Sequence, residues 1–452
     1  MASLAKSVAF YTLGCKVNQY ETEAMAELFA RRGYRVVPFR DRADVYVINT
    51  CTVTGTAAQK SRQAVRRALR TNPEAVVAVA GCYPQIAPQE IASMPGVRVV
   101  LGTRGHGAIV DLVEQAAAGG PAVIAVEDIE KALTFEELPV VAAAGRTRAF
   151  LKVQEGCRNF CTFCIVPYAR GPLRSRAPEK VLEQARALVA AGHRELVLTG
   201  THLGLYGRDL PDGPDLAGLV ARLLEVRGLV RLRLSSIEPL EVTPALLELM
   251  ASSPVLCPHL HIPLQSGDDG TLRRMGRRYT AAQYAAVIEN VRRVVPDPGI
   301  YADVMVGFPG EDEEAFRRSY SFVASLEPAG LHVFKYSPRA GTPAAGFKDQ
   351  VAPAVKQSRL EAMLALDRTL RQVFAARFLS RVVEVLVERT TPQGLATGYT
   401  PQYVRVAIRD RDAPVGELVR VLAEEVENGI IKGTRCEKKD SHLRASNNHD
   451  KM

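Results

Sequence analysis

A chain of 452 residues, 47% apolar and 24% charged, is long enough for two or three domains and has the balance of an ordinary soluble protein. It has no apolar run of membrane-spanning length, and Met1–Phe10 lacks the apolar stretch of a secretory signal. A cytoplasmic protein with no membrane partner is therefore expected, its eight cysteines kept reduced as metal ligands or core residues rather than disulfides. The net charge of +9 favours a polyanionic partner, while the absence of Trp argues against an extended stacking platform for single strands.

In chain order, Ser7–Thr12, Val45–Asn49 and Ala75–Ala80 read as buried strands, separated by helical patterns over Glu21–Arg32 and Ala57–Leu69. This alternation predicts a doubly wound parallel sheet over residues 1–140. From 148 to 375 the rhythm repeats more often. Strands are expected at Ala149–Val153, Glu195–Thr199, Arg231–Ser235, His259–Pro263, Tyr301–Gly307 and Leu331–Tyr336, with intervening helices such as Glu179–Ala191 and Glu313–Ser325. Six such units suit a partial TIM-like (β/α)6 barrel whose ligand site lies at the C-terminal strand ends. Residues 376–434 lack helical periodicity and suggest a small antiparallel β-domain, with strands at Val382–Glu388, Tyr403–Ile408 and Leu418–Leu422. Residues 435–452 are polar and read as a disordered tail in which Cys436 is a bystander. The fold class is thus α/β with a small all-β appendage.

The cysteines carry the chemistry. Cys157, Cys161 and Cys164 follow the expected strand Ala149–Val153 on one loop. Three closely spaced thiolates can hold three irons of a [4Fe–4S] cluster, leaving the fourth iron open to a small molecule. A zinc site borrowing a fourth ligand is the alternative; placement at the head of a barrel favours the cluster. Cys15, Cys51 and Cys82 each end an expected strand at intervals of 36 and 31 residues, close to one βα unit each. Equivalent strand ends of a parallel sheet share one edge, so three thiols there suit a second cluster. Buried free cysteines would look the same, and spacing alone leaves both readings open. Cys257, before Pro258, reads as a core or loop residue.

Further motifs stand in a fixed order: Ile165-Val-Pro-Tyr-Ala-Arg-Gly171, Ser235-Ser-Ile-Glu-Pro239, His261-Ile-Pro-Leu-Gln-Ser-Gly267, Asp303-Val-Met-Val-Gly-Phe-Pro-Gly310 and Tyr336-Ser-Pro-Arg-Ala-Gly-Thr342. With the six cysteines, these make residues 7–434 resemble the methylthiotransferases, radical S-adenosylmethionine (SAM) enzymes that attach a CH3S group to an unreactive carbon. The last region resembles a TRAM domain, a small RNA-binding β-module. The opening Thr12-Leu-Gly-Cys-Lys-Val-Asn-Gln-Tyr-Glu21 resembles the branch acting on N6-threonylcarbamoyladenosine at position 37 of tRNA. Sister branches act on N6-isopentenyladenosine or on a ribosomal-protein aspartate. A reading from another class is a noncatalytic iron–sulfur RNA-binding protein or redox sensor.

The resemblance implies two [4Fe–4S] clusters, one on Cys157, Cys161 and Cys164 and one on Cys15, Cys51 and Cys82, with SAM at the first. It implies SAM contacts at Gly200 and Thr201, and it makes Phe163, Ser235 and Gln265 candidate contacts. Expected partners are the tRNA anticodon loop at position 37 and an electron donor such as flavodoxin or ferredoxin. Lys60, Arg62, Arg66, Arg67 and Arg70, crowded on one helix, and Tyr399, Tyr403, Arg405, Arg409 and Arg411 in the small domain are candidate RNA contacts.

Overall fold

The computed structural model describes residues 6–52, 55–139, 147–391 and 394–436. The first unit is a six-stranded, wholly parallel sheet in the order β2-β1-β3-β4-β5-β6. Its elements are β1 (Ser7–Thr12), α1 (Lys16–Arg31), β2 (Arg35–Val37), β3 (Val45–Thr50), α2 (Gly55–Thr71), β4 (Val76–Gly81), α3 (Cys82–Ile86), α4 (Pro88–Ala92), β5 (Val97–Leu101), α5 (Ile109–Ala117) and β6 (Val123–Ala125). Central strands buried on both faces need apolar residues at every position, and β3 and β4 read as near-continuous apolar runs accordingly.

The second unit runs through β7 (Arg148–Glu155), α6 (Val166–Arg170), β8 (Arg174–Ser175), α7 (Pro178–Ala190), β9 (Glu195–Gly200), α8 (Leu216–Leu224), β10 (Arg231–Leu234), α9 (Pro244–Ser252) and β11 (His259–His261). It continues with α10 (Asp269–Arg274), α11 (Ala281–Val294), β12 (Gly299–Val306), α12 (Glu313–Leu326), β13 (Gly330–Lys335) and α13 (Pro353–Ala376). Six parallel strands, β7-β9-β10 and β11-β12-β13, join through the bridges Leu232–Leu256 and Ser236–His261 into an open barrel. Alternation along each strand sorts its side chains. Ala149, Leu151 and Val153 face the helices in the main apolar core, whereas Lys152 and Gln154 point the other way and are buried and polar. Thr243 caps α9, and a capping box of Thr280 with Gln283 starts α11.

The third unit is a closed five-stranded barrel of β14 (Val382–Thr390), β15 (Ala396–Tyr399), β16 (Arg405–Ile408), β17 (Leu418–Glu427) and β18 (Ile430–Arg435). Its pairings are antiparallel except β16–β18, which run parallel to close the barrel. Two buried guanidiniums anchor it to the larger barrel. Arg231 donates to Tyr399 O (3.1 Å) and Glu384 O (3.0 Å), and Arg233 to Pro401 O (2.8 Å) while paired with Glu195 (2.7 Å). The expected tail from residue 437 onward lies outside the described residues; Arg435 still belongs to β18, and Cys436 N donates to Arg420 O (2.9 Å).

The first two units share a buried ion network. Arg170 of α6 forms ion pairs with Glu21 of α1 and with Glu155 of β7 (2.9 Å); Lys152 lies 3.1 Å from Glu155 and 3.5 Å from Glu21, and Arg174 3.4 Å from Glu155. All five residues are at most 2% exposed. Burial pushes the Glu155 carboxyl up, but Lys152, Arg170 and Arg174 outweigh it and hold the group well below the usual carboxylate range. The stability this contributes is full above the unfolded-state pKa of about 4.3 and is lost as pH falls below it. Arg170→Met strands two buried carboxylates with diminished compensation, so the metal-free chain is expected to lose about 3–5 kcal/mol in urea denaturation. The paired Glu21→Gln/Arg170→Met variant should recover part of that loss, read as a nonzero coupling in a double-mutant cycle.

Candidate iron–sulfur and SAM site

At the carboxyl edge of the first sheet, β1, β3 and β4 are neighbours, and each ends in a cysteine. Cys15 stands at the N-cap of α1, Cys51 follows β3, and Cys82 opens α3 directly after β4. The approach is close: a Cβ placed on Gly14 would lie 3.0 Å from the Cβ of Cys51. Two buried asparagines lock the strand ends together. Asn18 Nδ2 donates to Asn49 Oδ1 and Thr50 O (both 3.1 Å), Asn49 Nδ2 returns a bond to Asn18 O (2.9 Å), and Asn18 Oδ1 accepts from Cys15 Sγ (3.2 Å). Desolvation pushes the Cys82 thiol up to about 12 against the pull of Arg170. Only a strongly charged ligand would make such a buried thiol a thiolate.

The second set of thiols sits on the loop between β7 and α6. The loop turns at Gly156, whose φ of +79° and near contact with Pro172 O leave no room for a Cβ. Cys157 N donates to Gly171 O (3.1 Å), Thr162 N to Met275 O (2.9 Å), and Ala344 N to Thr162 O (2.9 Å), so segments after α10 and β13 clamp the loop. Two polar dyads address its sulfurs. His202 Nδ1 lies 3.4 Å from Cys157 Sγ, and its Nε2 lies 2.6 Å from Glu241. Arg277 donates to Cys161 Sγ (3.4 Å) and pairs with Glu238. Desolvation lowers the His202 pKa, but its bonds to Cys157 and Glu241 outweigh that and raise it to about 10. Cys164 is pushed up to about 12 by burial.

The two sets of thiols are carried by packed neighbours. α3, which begins at Cys82, packs on α6, and Thr103 Oγ1 donates to Ala169 O (2.7 Å). On the other side Gly55 N donates to Ser337 Oγ (3.0 Å) and Arg339 bonds Thr52, next to Cys51. The first sheet thus lies across the mouth of the open barrel.

Of the other candidate residues, Gly200 ends β9, where a Cβ would press on Gln154, and Thr201 N donates to Gln154 O (3.3 Å). Ser235 follows β10. Gln265, at φ +69°, is held by bonds from its N to Asp303 O (2.8 Å) and from Met305 N to its O (2.9 Å). Ser235 Oγ and Gln265 Oε1 are buried at these strand ends and have no hydrogen-bond partner among the described residues. Phe163, partly buried, packs against a small apolar cluster that includes Met275, Met305 and Phe308, 6.3 Å from the Phe308 ring. The lumen also holds His261, Asp303 and His332 on three adjacent strands, their donor atoms within 4.8 Å of one another. Both imidazoles bond Asp303 Oδ1 (2.7 and 3.3 Å), closing a hydrogen-bond network. The His202, Arg277 and Asp303 partners went unread from sequence, because each pairs with residues 29 to 116 positions away.

The basic face of α2 borders a cavity of about 480 Å³ lined by Tyr11, Phe39, Lys60, Arg66, Arg67 and Arg70, with Arg67 over the Phe39 ring at 5.7 Å. Arg62 is engaged by Tyr83 Oη (2.7 Å). In the small barrel Tyr399 and Tyr403 stack on each other at 4.6 Å beneath Arg148, and Arg409 pairs with Glu424 and Glu425. Each of these three thus has a partner within the protein, and Arg405 lines a neighbouring cavity with Arg148 and Tyr399. Among the described residues, no helix is long and apolar enough to cross a membrane.

Comparison with known proteins agrees with this layout. Residues 7–102 match Uncharacterized protein family UPF0004, residues 151–323 the Radical SAM superfamily and residues 377–434 the TRAM domain. A relative from Bacillus subtilis, threonylcarbamoyladenosine tRNA methylthiotransferase MtaB, is 45% identical over 92% of this chain and 93% of its own length. Its namesake from Aquifex aeolicus is 38% identical over 92% and 99%. A tRNA-2-methylthio-N(6)-dimethylallyladenosine synthase from Carboxydothermus hydrogenoformans is 34% identical over 93% and 97%. The radical SAM methyltransferase TsrM from Kitasatospora setae, solved with cobalamin and a [4Fe–4S] cluster, shares the fold at a TM-score of 0.54 and 15% identity, covering 76% of this chain and 74% of that one. Three matched domains in order and relatives spanning nearly the whole chain lead to one conclusion: this chain belongs to the radical SAM methylthiotransferases, in their threonylcarbamoyladenosine tRNA branch.

Proposed function

We propose that the chain transfers a CH3S group to C2 of N6-threonylcarbamoyladenosine at position 37 of tRNA, in the cytoplasm, with electrons from a flavodoxin or ferredoxin. The observation that carries this reading is the pairing of two three-thiol sets, one roofing the other, in a chain 45% identical along 92% of its length to an enzyme of that name. The C2–H bond of adenine is strong and nonacidic, so no side chain acting as a general base suits it. When bound, the two [4Fe–4S] clusters with SAM supply one-electron chemistry at that carbon and a sulfur to transfer.

The chain's own residues then have distinct tasks. Cys157, Cys161 and Cys164 would hold the SAM-binding [4Fe–4S] cluster, and Cys15, Cys51 and Cys82 would hold the auxiliary one. His202 and Arg277 donate to two of the first set's sulfurs, supporting their thiolate charge. The orphaned Ser235 Oγ and Gln265 Oε1, with the chain at Gly200 and Thr201, orient SAM at the strand ends. Phe163 closes the floor behind the cluster loop by packing. The α2 face and Arg405 with Arg411 grip phosphates, while an anticodon-loop base, unpaired at the outset, swings into the mouth for a few kcal/mol of lost stacking.

Anaerobic reconstitution is expected to load about eight irons per chain, as two four-iron clusters require. Replacing Cys157, Cys161 and Cys164 together by Ala should halve that number and abolish 5′-deoxyadenosine formation. The Cys15/Cys51/Cys82→Ala variant should keep 5′-deoxyadenosine formation and transfer no sulfur. Two irons per chain, or zinc in their place, would refute the assignment.

Turnover on tRNA bearing N6-threonylcarbamoyladenosine, followed by digestion and mass spectrometry, should give its 2-methylthio derivative at position 37. Product from isopentenyladenosine tRNA alone would move the chain to the sister activity. Affinity for tRNA should fall roughly 10³-fold between about 50 and 200 mM salt if six or more phosphates are neutralised. Lys60→Gln/Arg66→Gln/Arg70→Gln should flatten that salt dependence by up to about three phosphates' worth of slope.

A further inference from the structure

The cluster loop has a second approach. A cavity of about 200 Å³ opens there, and its lining includes Cys161, Arg208, Leu240, Arg277, Arg278 and Tyr279. Only loops of the central barrel contribute to it; no residue of the first sheet or of the small β-barrel lines it. Cys161, 8% exposed, is itself part of the lining, and Arg277 beside it donates to Sγ at 3.4 Å and lies over the Tyr279 ring at 4.9 Å.

The rim has a specific character. Arg208 and Arg278 are exposed, and among the described residues neither forms an ion pair. Leu240 of the same lining is 56% exposed. Phe160, next to the lining residue Asn159 and held at φ +45°, is 46% exposed and packs edge-on against the exposed Tyr168 at 5.7 Å. The two carboxylates of the lining are already paired, Glu238 with Arg277 and Glu241 with His202, so the charge left unpaired on the rim is positive. Unpaired guanidiniums beside a small apolar contact make the type of surface that weak electron-transfer encounters use, where charge steers the partner.

We propose that this face is the docking surface for an acidic one-electron carrier protein, whose redox group is set against the Cys161 side of the cluster loop. One electron leaves the reduced carrier, which is oxidised by one electron, and enters the oxidised cluster; no bond forms or breaks at the surface. This rests on the assignment of a cluster to Cys157, Cys161 and Cys164. Location favours a protein over RNA as occupant. The basic α2 unit is tied to the loop after β13 through Gly55 and Ser337, whereas the cavity is lined from the loops after β7, β9, β10 and α10 and by no residue of α2. The exposed Leu240 and Phe160 also offer apolar contact that a phosphate backbone does not use.

The test uses the full-length, cluster-loaded chain with Arg208→Glu/Arg278→Glu, a reduced flavodoxin as the protein donor and dithionite as the chemical one. Flavodoxin-driven 5′-deoxyadenosine formation at low salt is expected to fall at least about tenfold, through a raised half-saturating flavodoxin concentration. Rates with dithionite and affinity for tRNA should stay at the parent's values, and the gap between the two chains should narrow as added salt screens the charges. Arg208→Gln/Arg278→Gln should fall between. An unchanged flavodoxin-driven rate would overturn the proposal. So would a matching fall with dithionite, which makes the arginines part of the cluster site, or a loss of tRNA affinity, which gives the face to RNA. If the parent chain itself makes no 5′-deoxyadenosine with dithionite, it is the cluster assignment that fails.

Discussion

Five charged side chains with almost no access to water hold this molecule in its working arrangement. Glu21, Arg170, Glu155, Lys152 and Arg174 belong to the first helix, the helix after the cluster loop, and the first strands of the barrel. Removing such groups from water costs several kcal/mol each, and their mutual attraction recovers it only when every partner is in place. The network therefore tolerates one docking of the first sheet on the barrel and penalises others. Arg170 also lies near Cys82, so the same guanidinium that ties the units together belongs to the surroundings of the auxiliary thiols.

That docking turns two ordinary α/β edges toward each other. Each unit alone follows the rule that ligands collect at the C-terminal ends of parallel strands. Here both edges face a common space, one presenting Cys15, Cys51 and Cys82 and the other the cluster loop with the unpartnered Ser235 Oγ and Gln265 Oε1. Chemistry needing two metal centres and a substrate between them requires little else from the fold. The polar lumen, with Gln154, Glu195, Arg233, His261 and Asp303, is a departure from the apolar filling of an ordinary closed barrel.

Much of this was legible before the structure. Buried parallel strands are apolar at successive positions, so β1, β3, β4 and the six barrel strands stood out, each within about three residues of its observed bounds. The strand ends placed the six cysteines. Short edge strands such as Arg35–Val37 and Val123–Ala125 carry too few residues for a period. The long helix Pro353–Ala376 escaped because its buried face includes Lys356 and Arg359, which dilute the apolar stripe. In the small barrel, Ala396–Tyr399 and Ile430–Arg435 escaped because each contains a glycine where the neighbouring strand comes too close for a Cβ. Long-range charge pairs left no local trace: Glu21 and Arg170 are 149 residues apart.

The junction between the two barrels has a mechanical consequence. Arg231 and Arg233 start deep in the wall of the larger barrel and end on main-chain carbonyls of the smaller one, with Arg148 laid over Tyr399 and Tyr403. A module fastened by buried guanidiniums is a fixed jaw, not a tethered hand. The distance from the small barrel to the mouth of the larger one is therefore set by the fold, as the span of a caliper is set once its screw is tightened.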